Sequence, residues 1–249
     1  MKKILLLITF TTLFFSCRTQ QDVLYLQNID KIDISNDNYV SPKIQTGDVL
    51  TITVNAYDEN LARPFNIGGG RTSNNLANAE LNPNSLLVDS DGNIEYPMLG
   101  TIKAEGKTRK ELADELKSKI SNYIKDPMVN VRIVNFKVTM LGEFGSQGVV
   151  RSSSEKLNIF EAIANSGGMT YYAIRDSVLL IRTVDGKRTH QFVNLHDAKL
   201  MNSDHYYLKQ NDILYALPTK SRATEFNTRP ITATLTVIGF ITAIITLFR

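Results

Sequence analysis

Alternating apolar and polar residues predict the first strand of the chain at residues 49–54. This stretch reads Val-Leu-Thr-Ile-Thr-Val, and strict alternation rich in β-branched residues is typical of a half-buried strand. Gly47 and Asp48 precede it, and this pair favours a turn. Residues 57–86 then lose all periodicity and contain seven asparagines. This composition predicts a long surface excursion.

Helical spacing replaces the alternation further along the chain. Thr108 and Glu111 form the sequence pattern of a capping box, and the apolar residues that follow recur every three or four positions. These residues are Leu112, Leu116, Ile120 and Tyr123. We expect a helix of about 16 residues that Asp126 and Pro127 end, because the residue before a proline disfavours helical geometry. Residues 128–133 alternate again and predict a strand.

A hairpin is predicted at residues 88–97. Asp91 and Gly92 are a common pair in a tight hairpin turn, and apolar residues lie on both sides of them. The Asp-x-Asp-Gly spacing also occurs in calcium-binding loops, but no glutamate follows at the closing position of an EF-hand loop. We therefore expect a structural turn here and no metal site.

A second module with the same kinds of element follows the first. Residues 138–143 predict a strand, and Asn158 with Glu161 forms a second capping box that starts a short helix. Gly167 and Gly168 come after this helix. We expect them to end it, because glycine adopts the left-handed conformation at low cost.

Two further patterns complete the second module. Residues 178–182 and 188–193 flank an Asp-Gly pair, which predicts another hairpin. The closing segment, residues 207–217, repeats the turn and strand that open the first module. Asn211 and Asp212 take the places of the glycine and aspartate of that first turn. Asparagine suits the position because it tolerates a positive φ better than most residues do.

The amino-terminal residues have the pattern of a signal peptide. Lys2 and Lys3 provide a positive start, and residues 4–15 form an apolar run that is too short for a membrane span. Ser16 and Cys17 follow, which resembles the lipobox of bacterial lipoproteins. We expect cleavage before Cys17 and lipidation of its thiol, which would hold the chain on a membrane. The alternative is an ordinary secretory signal that leaves a free thiol.

An uncharged apolar segment lies at the other end of the chain. Residues 231–248 contain no charged side chain and would be about 27 Å long as a helix, close to the hydrocarbon thickness of about 30 Å. We expect a transmembrane helix with small, weakly polar residues along one face, and such faces form contacts between membrane helices. This candidate helix–helix or pore face consists of Thr232, Thr236, Gly239, Ala243 and Thr246. The alternative is a lone anchor whose threonines bond their own backbone.

Composition and charge exclude several classes of function. The 249 residues are 43% apolar and 21% charged, which is typical of folded domains. The formal net charge is only +3, too small to indicate that the partner is nucleic acid. The single cysteine excludes an internal disulfide framework and a zinc site with several cysteines.

Candidate catalytic residues are few. His190, His196 and His205 lie near Asp197 and Asp204 in the sequence, which suggests a metal site. However, no two of the histidines have the short spacing that would place them on one face of a strand or helix. We expect no catalytic residues, no metal and no cofactor, and hence no enzyme.

An ordered set of motifs connects the two modules to known proteins. The first module carries Lys43-x3-Gly47-Asp48-Val49-Leu50, Val88 through Asp91-Gly92 to Tyr96-Pro97-x2-Gly100, and Tyr123-x2-Asp126-Pro127-x-Val129-x-Val131. The second carries Leu141-Gly142-Glu143, Gly148-Val149, Ile159-x-Glu161-Ala162-x3-Ser166-Gly167-Gly168 and Tyr207-Leu208-x2-Asn211-Asp212-Ile213-Leu214. The first set resembles the polysaccharide export domain of outer-membrane capsule and exopolysaccharide exporters. The second set is similar to the SLBB-type β-grasp domain that follows it in those proteins.

The resemblance implies an α+β chain with two small mixed periplasmic modules and a C-terminal transmembrane helix. The boundaries would be a signal peptide at 1–16, an N-terminal segment at 17–38, the export domain at 39–136, the β-grasp domain at 137–218, a linker at 219–230 and the membrane helix at 231–248.

The resemblance also implies a function. The chain would be a lipid-anchored subunit of a homo-oligomeric ring in the bacterial outer membrane, with polysaccharide passing from the periplasm to the cell surface. An inner-membrane chain-length regulator, often a tyrosine kinase, would meet the ring from below. The alternative is a membrane-anchored lipoprotein that binds glycan or peptidoglycan and forms no pore.

Overall fold

The structure, a computed structural model, describes most of the chain between residues 20 and 222. The described residues are 20–33, 39–66, 85–152, 154, 156–184 and 186–222. Cys17, the expected membrane helix and most of the expected excursion lie outside these ranges. Within them, no helix has the length and apolar character needed to cross a membrane.

The first module combines a three-stranded sheet, a separate hairpin and one long helix. Its elements in chain order are β1 (Val49–Asn55), α1 (Glu59–Ala62), β2 (Ser85–Leu87), β3 (Asn93–Tyr96), β4 (Gly100–Lys103), α2 (Arg109–Ile120) and β5 (Met128–Ile133). The sheet has the order β2-β1-β5, and both neighbours of β1 run antiparallel to it. The mixed helix-and-sheet composition predicted for this module is confirmed.

Alternation along β1 and helical spacing along α2 bury one shared core. Leu50, Ile52 and Val54 of β1 are buried, whereas the residues between them are partly exposed. On α2 the buried side chains recur every four residues, at Leu112, Leu116 and Ile120. Each fully buried side chain of this size contributes roughly 1.5–3 kcal/mol. The predicted strand is therefore confirmed, as are the first three residues of the predicted helical face.

Helix α2 begins at its predicted cap but ends earlier than predicted. The capping box is complete, since the Glu111 amide donates to Thr108 Oγ1 (3.2 Å) and the Thr108 amide donates to the Glu111 carboxylate (2.7 Å). The last helical residue is Ile120. Tyr123 then lies 58% exposed, with its ring centroid 5.7 Å from that of Phe65. The prediction of a longer helix was wrong, since the Tyr123 amide donates to the Ile120 carbonyl (2.8 Å), three residues earlier instead of the four of an α-helix.

The turn at residues 89–92 forms, but the hairpin lies one strand later than predicted. The Gly92 amide donates to the Asp89 carbonyl (3.0 Å) and closes the turn. The Gly92 carbonyl then accepts the amides of Ala104 and Glu105 (3.0 and 2.9 Å). This close approach brings the chain after β4 against the turn. Asp89 still donates its amide to the Asn93 carbonyl (2.9 Å), but the continuous pairing of β3 is with β4.

The described ends of the expected excursion are regular elements. β1 is followed by α1 and by a short 3-10 helix at Arg63–Phe65, and β2 forms where the excursion returns. The Asn66 side chain acts as a strand partner, because Oδ1 accepts the Val54 amide (2.9 Å) and Nδ2 donates to the Val54 carbonyl (2.8 Å). The expectation of a surface excursion was wrong at these ends, where Phe65 and Leu86 are buried in the core.

The second module is one mixed five-stranded sheet with a short helix. Its elements are β6 (Lys137–Gly142), β7 (Gly148–Arg151), α3 (Ile159–Asn165), β8 (Ala173–Val184), β9 (Lys187–Val193) and β10 (Ile213–Pro218). The strand order is β7-β6-β10-β8-β9, in which β10 is parallel to β6 and the other pairs are antiparallel. The predicted β8–β9 hairpin and the closing strand β10 are confirmed.

The predicted glycine end of helix α3 is confirmed. Gly167 and Gly168 have φ values of +76° and +80°. The Gly168 amide donates to the Ile163 carbonyl (2.9 Å), and the Gly167 amide donates to the Ala164 carbonyl (3.0 Å). This pair of bonds is the Schellman motif, which satisfies the last carbonyl groups of a helix.

Residues 20–33 pack on the second module, although the first module follows them in the chain. The Leu26 amide donates to the Leu195 carbonyl (3.0 Å). Asn28 Nδ2 donates to Asp197 Oδ1 (2.9 Å), and Asn28 Oδ1 accepts the Ala198 amide (2.7 Å). The N-terminal segment is thus part of the second module in space.

Candidate functional site

Two turns of matching geometry open β1 and β10. Gly47 has a φ of +84° and Asn211 a φ of +63°. In the first turn the Asp48 carboxylate accepts the Gln45 amide (2.8 Å). In the second turn the Asp212 carboxylate accepts the Lys209 amide (2.7 Å). In both turns the donor is the amide three residues before the aspartate. The repeat that the sequence predicts is confirmed at atomic detail, and both aspartates are buried.

Asp212 forms a buried ion pair with Arg182 of β8. Arg182 Nε donates to both carboxylate oxygens (3.0 and 3.1 Å), and Nη2 donates to Oδ2 (2.6 Å). The other guanidinium protons reach the carbonyls of Tyr207 (3.0 Å) and Asp204 (3.3 Å). The two side chains are 0% and 8% exposed. This arrangement satisfies both charges and fixes the closing loop against the sheet.

Asp48 lies where the two modules meet, in a group that we call the seam: Asp48, Asn135 and Gln210. Asn135 Oδ1 accepts the Val49 amide (3.0 Å), and its Nδ2 donates to the Gly47 carbonyl (3.0 Å). Gln210 Oε1 accepts the Lys137 amide (2.8 Å), while its Nε2 donates to the Asn135 carbonyl (3.0 Å) and Asp48 Oδ1 (3.4 Å). The seam therefore ties the first turn to the second.

Aromatic rings reinforce the junction of the modules. The ring centroids of Tyr39 and Tyr207 lie 5.2 Å apart, edge to face. Lys156 Nζ is 5.2 Å from the first ring centroid and 5.3 Å from the second. Cation–π contacts of this kind favour a fixed placement of one module against the other.

Both described ends of the chain lie near the start of β8. The 3-10 helix at Gln20–Val23 contacts β8, and Tyr25 lies with its ring centroid 5.6 Å from the Arg175 guanidinium carbon. At the other end, the Thr219 amide donates to the Tyr172 carbonyl (2.8 Å). Arg222 stacks over the Tyr172 ring (4.9 Å). The segments that lead toward the two expected membrane attachments thus leave from the same end of the second module.

The other described motif residues form turns that connect strands. Asp91 and Gly92 form the tight turn before β3, where Asp91 donates its amide to Asp89 Oδ1 (2.9 Å). Asp126 has a φ of +50° next to Pro127 and brings the chain into β5. Cys17 and the candidate helix face of Thr232, Thr236, Gly239, Ala243 and Thr246 lie outside the described residues.

A polar cleft opens at the far end of the β8–β9 hairpin. It has a volume of about 210 Å³ and lies between the inner face of the hairpin and the loop at residues 204–209. The lining residues are Leu180, Arg182, Val184, Thr189, Gln191, Asp204, His205 and Lys209. Pairing of Leu180 with Gln191 and of Arg182 with Thr189 puts the strand residues on one face of the sheet. Sequence patterns give no sign of this cleft.

The three histidines occupy separate places. His190 pairs with Ile181 across the hairpin, so alternation along the strand puts it on the opposite face from the cleft. The His196 carbonyl accepts the Gln27 amide (2.7 Å), and His205 lines the cleft. Among the described residues, no group of three or more histidines, cysteines or carboxylates is placed to hold a metal ion.

Surface carboxylates with specific donors have lowered pKa values. The Asn28 side chain and then the Lys199 amide stabilise the charged form of Asp197 and lower its pKa. Hydrogen bonds from Thr108, first from its backbone, lower the pKa of Glu111. In the first core, burial raises the pKa of Tyr96, whose hydroxyl donates to the Phe65 carbonyl (2.8 Å). These groups stabilise caps and contacts, and none lines the cleft.

The first module matches a known protein-family model. Residues 35–134 match the family model described as polysaccharide biosynthesis/export protein. This range contains every motif that we quoted for the first module.

Three proteins with similar sequences are named as polysaccharide export proteins. Over 132 residues the chain is 30% identical to the EPS I polysaccharide export outer membrane protein EpsA of Ralstonia solanacearum, an alignment covering 51% of this chain and 35% of the relative. The protein of the same name from Ralstonia nicotianae is 30% identical over 132 residues, or 51% of this chain and 34% of the relative. The Vi polysaccharide export protein VexA/TviF of Salmonella typhi is 29% identical over 105 residues, or 42% and 27%. The chain thus spans about a third of the length of the relatives it matches most extensively.

Proposed function

We propose, from the match of residues 35–134 to the polysaccharide biosynthesis/export family model, that the chain is a subunit of an oligomeric outer-membrane channel. The channel exports capsular or extracellular polysaccharide from the periplasm to the cell surface. The relatives are named as outer membrane and polysaccharide export proteins, which supports both the cargo and the location. Their names describe exporters, so we propose no enzymatic activity for this chain.

The position of the two described chain ends supports an orientation of this subunit relative to the outer membrane. Residues 20–25 and 219–222 lie at the start of β8. A lipid on Cys17 and a transmembrane helix at 231–248 would therefore both hold this end of the second module beneath the outer membrane. The seam lies toward the opposite end of β8, so the first module would extend into the periplasm, toward an inner-membrane chain-length regulator or tyrosine kinase.

The second module supports the rest of the proposed domain order. A mixed five-stranded sheet with one helix packed on it fits a β-grasp domain at residues 137–218. Residues 20–33 complete that module in space. The export domain at 39–136 then stands as an insertion between two parts of the membrane-proximal module.

An open sheet face supports assembly into a ring. Leu141, Val149 and Phe192 are 41%, 50% and 52% exposed, and strand pairing puts them on the sheet face opposite the second core. Exposed apolar patches of this kind mark protein–protein interfaces. We assign this face to a second copy of the chain. Substitution of Leu141 and Phe192 by Ser should lower the mass of the detergent-extracted assembly. Leu87→Ser, which replaces a more exposed leucine (62%) in the first module, should not.

Deletion of residues 231–249 tests the export function directly. We expect surface polysaccharide to disappear while the protein still incorporates labelled lipid at Cys17 and reaches the membrane fraction. Cys17→Ala is the complementary variant, which should lose the lipid label. Normal export by the deletion variant would contradict the proposed passage through the outer membrane.

Particle mass in mild detergent separates export from the alternative of a binding lipoprotein. A ring of several subunits with a central opening is expected for the channel. A stable monomer of the lipidated full-length chain would instead favour a membrane-anchored protein that binds glycan or peptidoglycan and forms no pore.

A further inference from the structure

We propose that the polar cleft beside the β8–β9 hairpin binds one uncharged pyranose unit of a polysaccharide. This inference rests on the proposed function in one respect, because the exported polysaccharide would be the source of the sugar. The cleft itself is formed by residues of 180–184, 189–191 and 204–209 in the second module, and its chemistry follows from those residues.

The charges of the cleft balance, which favours a neutral ligand. The Arg182 charge is neutralised by Asp212 in the buried pair. The remaining charged side chains of the lining are Asp204 and Lys209, one of each sign. Within the described residues neither of these two side chains has a hydrogen-bond or ion-pair partner. A free phosphate or carboxylate would find no excess of positive charge here.

The hydrogen-bonding groups of the cleft suit vicinal hydroxyls. The Asp204 carboxylate accepts hydrogen bonds, the Lys209 ammonium donates them and the Gln191 amide does both. A sugar hydroxyl donates and accepts at once, so it can satisfy acceptor and donor side chains together. His205 adds a further group, because its Nδ1 is buried without a hydrogen-bond partner among the described residues. A buried polar atom of this kind gains free energy when a ligand supplies a partner.

The size and the apolar wall of the cleft suit a single sugar ring. The cleft has a volume of about 210 Å³. Pockets for drug-sized ligands begin at about 300 Å³. Leu180 and Val184 supply an apolar surface on the hairpin, against which the C–H face of a pyranose can pack.

The position of the cleft fits a chain in transit. Seven to eleven residues of β8 separate it from Ala173, which is roughly 25–35 Å along a strand. It therefore lies near the seam and away from the membrane-attached end of the proposed orientation. A half-open site for a single ring would give weak, transient contacts, which a moving polymer requires.

Photolabelling of the lipidated full-length protein in detergent tests the site. The probe is a methyl glucopyranoside that carries a diazirine, and mass spectrometry maps the labelled peptides. We expect labelling within residues 180–191 and 204–209 that excess methyl glucopyranoside or methyl galactopyranoside removes. Labelling that lies elsewhere, or that resists competition, would overturn the assignment. Methyl glucuronide should compete no better than the neutral sugars, and a tenfold preference for it would overturn the neutral class.

Exposed side chains provide variants that leave the core intact. Asp204→Asn and Lys209→Gln should each reduce site-specific labelling by roughly tenfold, since a hydrogen bond to a charged group is worth about one decade of affinity or more. Arg188→Gln is the matched control, because it also removes one charge but lies on the opposite face of the hairpin. Equal labelling of all three variants would contradict the proposed contacts.

Two readouts keep this inference separate from the export function. If the cleft is labelled as expected but the deletion of residues 231–249 exports normally, the sugar site stands and the channel proposal fails. If the deletion abolishes export but the cleft takes no label, the channel proposal stands and the sugar site is refuted.

Discussion

The turn at Asp48 and the turn at Asp212 have the same local geometry but different partners. Each carboxylate accepts the amide three residues before it, and each turn contains a residue with positive φ. Asp212 then binds the Arg182 guanidinium inside the second module. Asp48 instead meets the Gln210 side chain at the seam. One motif thus stabilises the interior of a module, and its repeat stabilises the contact between modules.

The difference shows that a local motif fixes the shape of a turn and not its energetic role. Asp212 lies opposite a buried cation, so its charge is needed to balance another charge. The donors described for Asp48 are neutral amides, and the charge of the carboxylate strengthens these hydrogen bonds. Substitutions that preserve shape but remove charge should therefore affect the two turns unequally.

The largest effect is expected for Asp212→Asn. This change leaves the Arg182 cation buried without its counter-charge, which costs about 3–5 kcal/mol of unfolding free energy. Urea unfolding of the full chain in detergent, followed by circular dichroism, measures the loss. Asp204→Asn in the same loop is the control and should change stability by less than about 0.5 kcal/mol. Equal stability of Asp212→Asn and the control would remove the distinction between the turns.

A smaller effect is expected for Asp48→Asn. The amide oxygen can still accept the Gln45 amide, but the hydrogen bond to a charged acceptor is lost, at a cost of about 1–2 kcal/mol. The same unfolding assay measures the change. A loss as large as that of Asp212→Asn would show that Asp48 also balances a buried charge, and the comparison would fail.

Gln210→Ala sharpens the role of the seam. The change removes three hydrogen bonds between residues 210, 135–137 and 48, and we expect a loss of roughly 1 kcal/mol because Gln210 is only partly buried. Hydrogen exchange read by mass spectrometry should accelerate at Lys137, whose amide Gln210 accepts. Gln191→Ala, an exposed glutamine on β9, should leave exchange at Lys137 unchanged.

The smallest effect concerns a third aspartate, which lies at the surface. The Asn28 side chain is the main cause of the lowered pKa of Asp197, so the contact contributes stability above the ordinary aspartate pKa of about 3.9. That contribution is lost as the pH falls through the lowered value in the folded protein. Asn28→Ala should raise the pKa of Asp197 toward its ordinary value. In this variant, hydrogen exchange in residues 21–28 should change with pH only as the intrinsic exchange rate does. An extra increase at acid pH that persists in the variant would show that the Asn28 contact is not the cause of the lowered pKa.

Much of the secondary structure could be predicted because its signals are local. The capping boxes at Thr108 and Asn158, the alternation of β1 and the Gly167-Gly168 ending each depend on residues a few positions apart. The early end of α2 and the pairing of β3 with β4 could not be predicted in this way. The first leaves Tyr123 against the ring of Phe65, which is distant in the chain, and the second accompanies the approach of Glu105 to Gly92.

The sequence by itself determined the export-family motifs, the order of the two modules and the shapes of the two aspartate turns. Only the tertiary structure decided that Arg182 neutralises Asp212, that Gln210 joins the modules and that residues 20–33 complete the second module. The partners in these contacts are 30, 75 and 169 residues apart in the chain. Hydrogen-bonding requirements within a turn are met by near neighbours, whereas the partner of the buried Asp212 is decided by the pairing of β8 with β10.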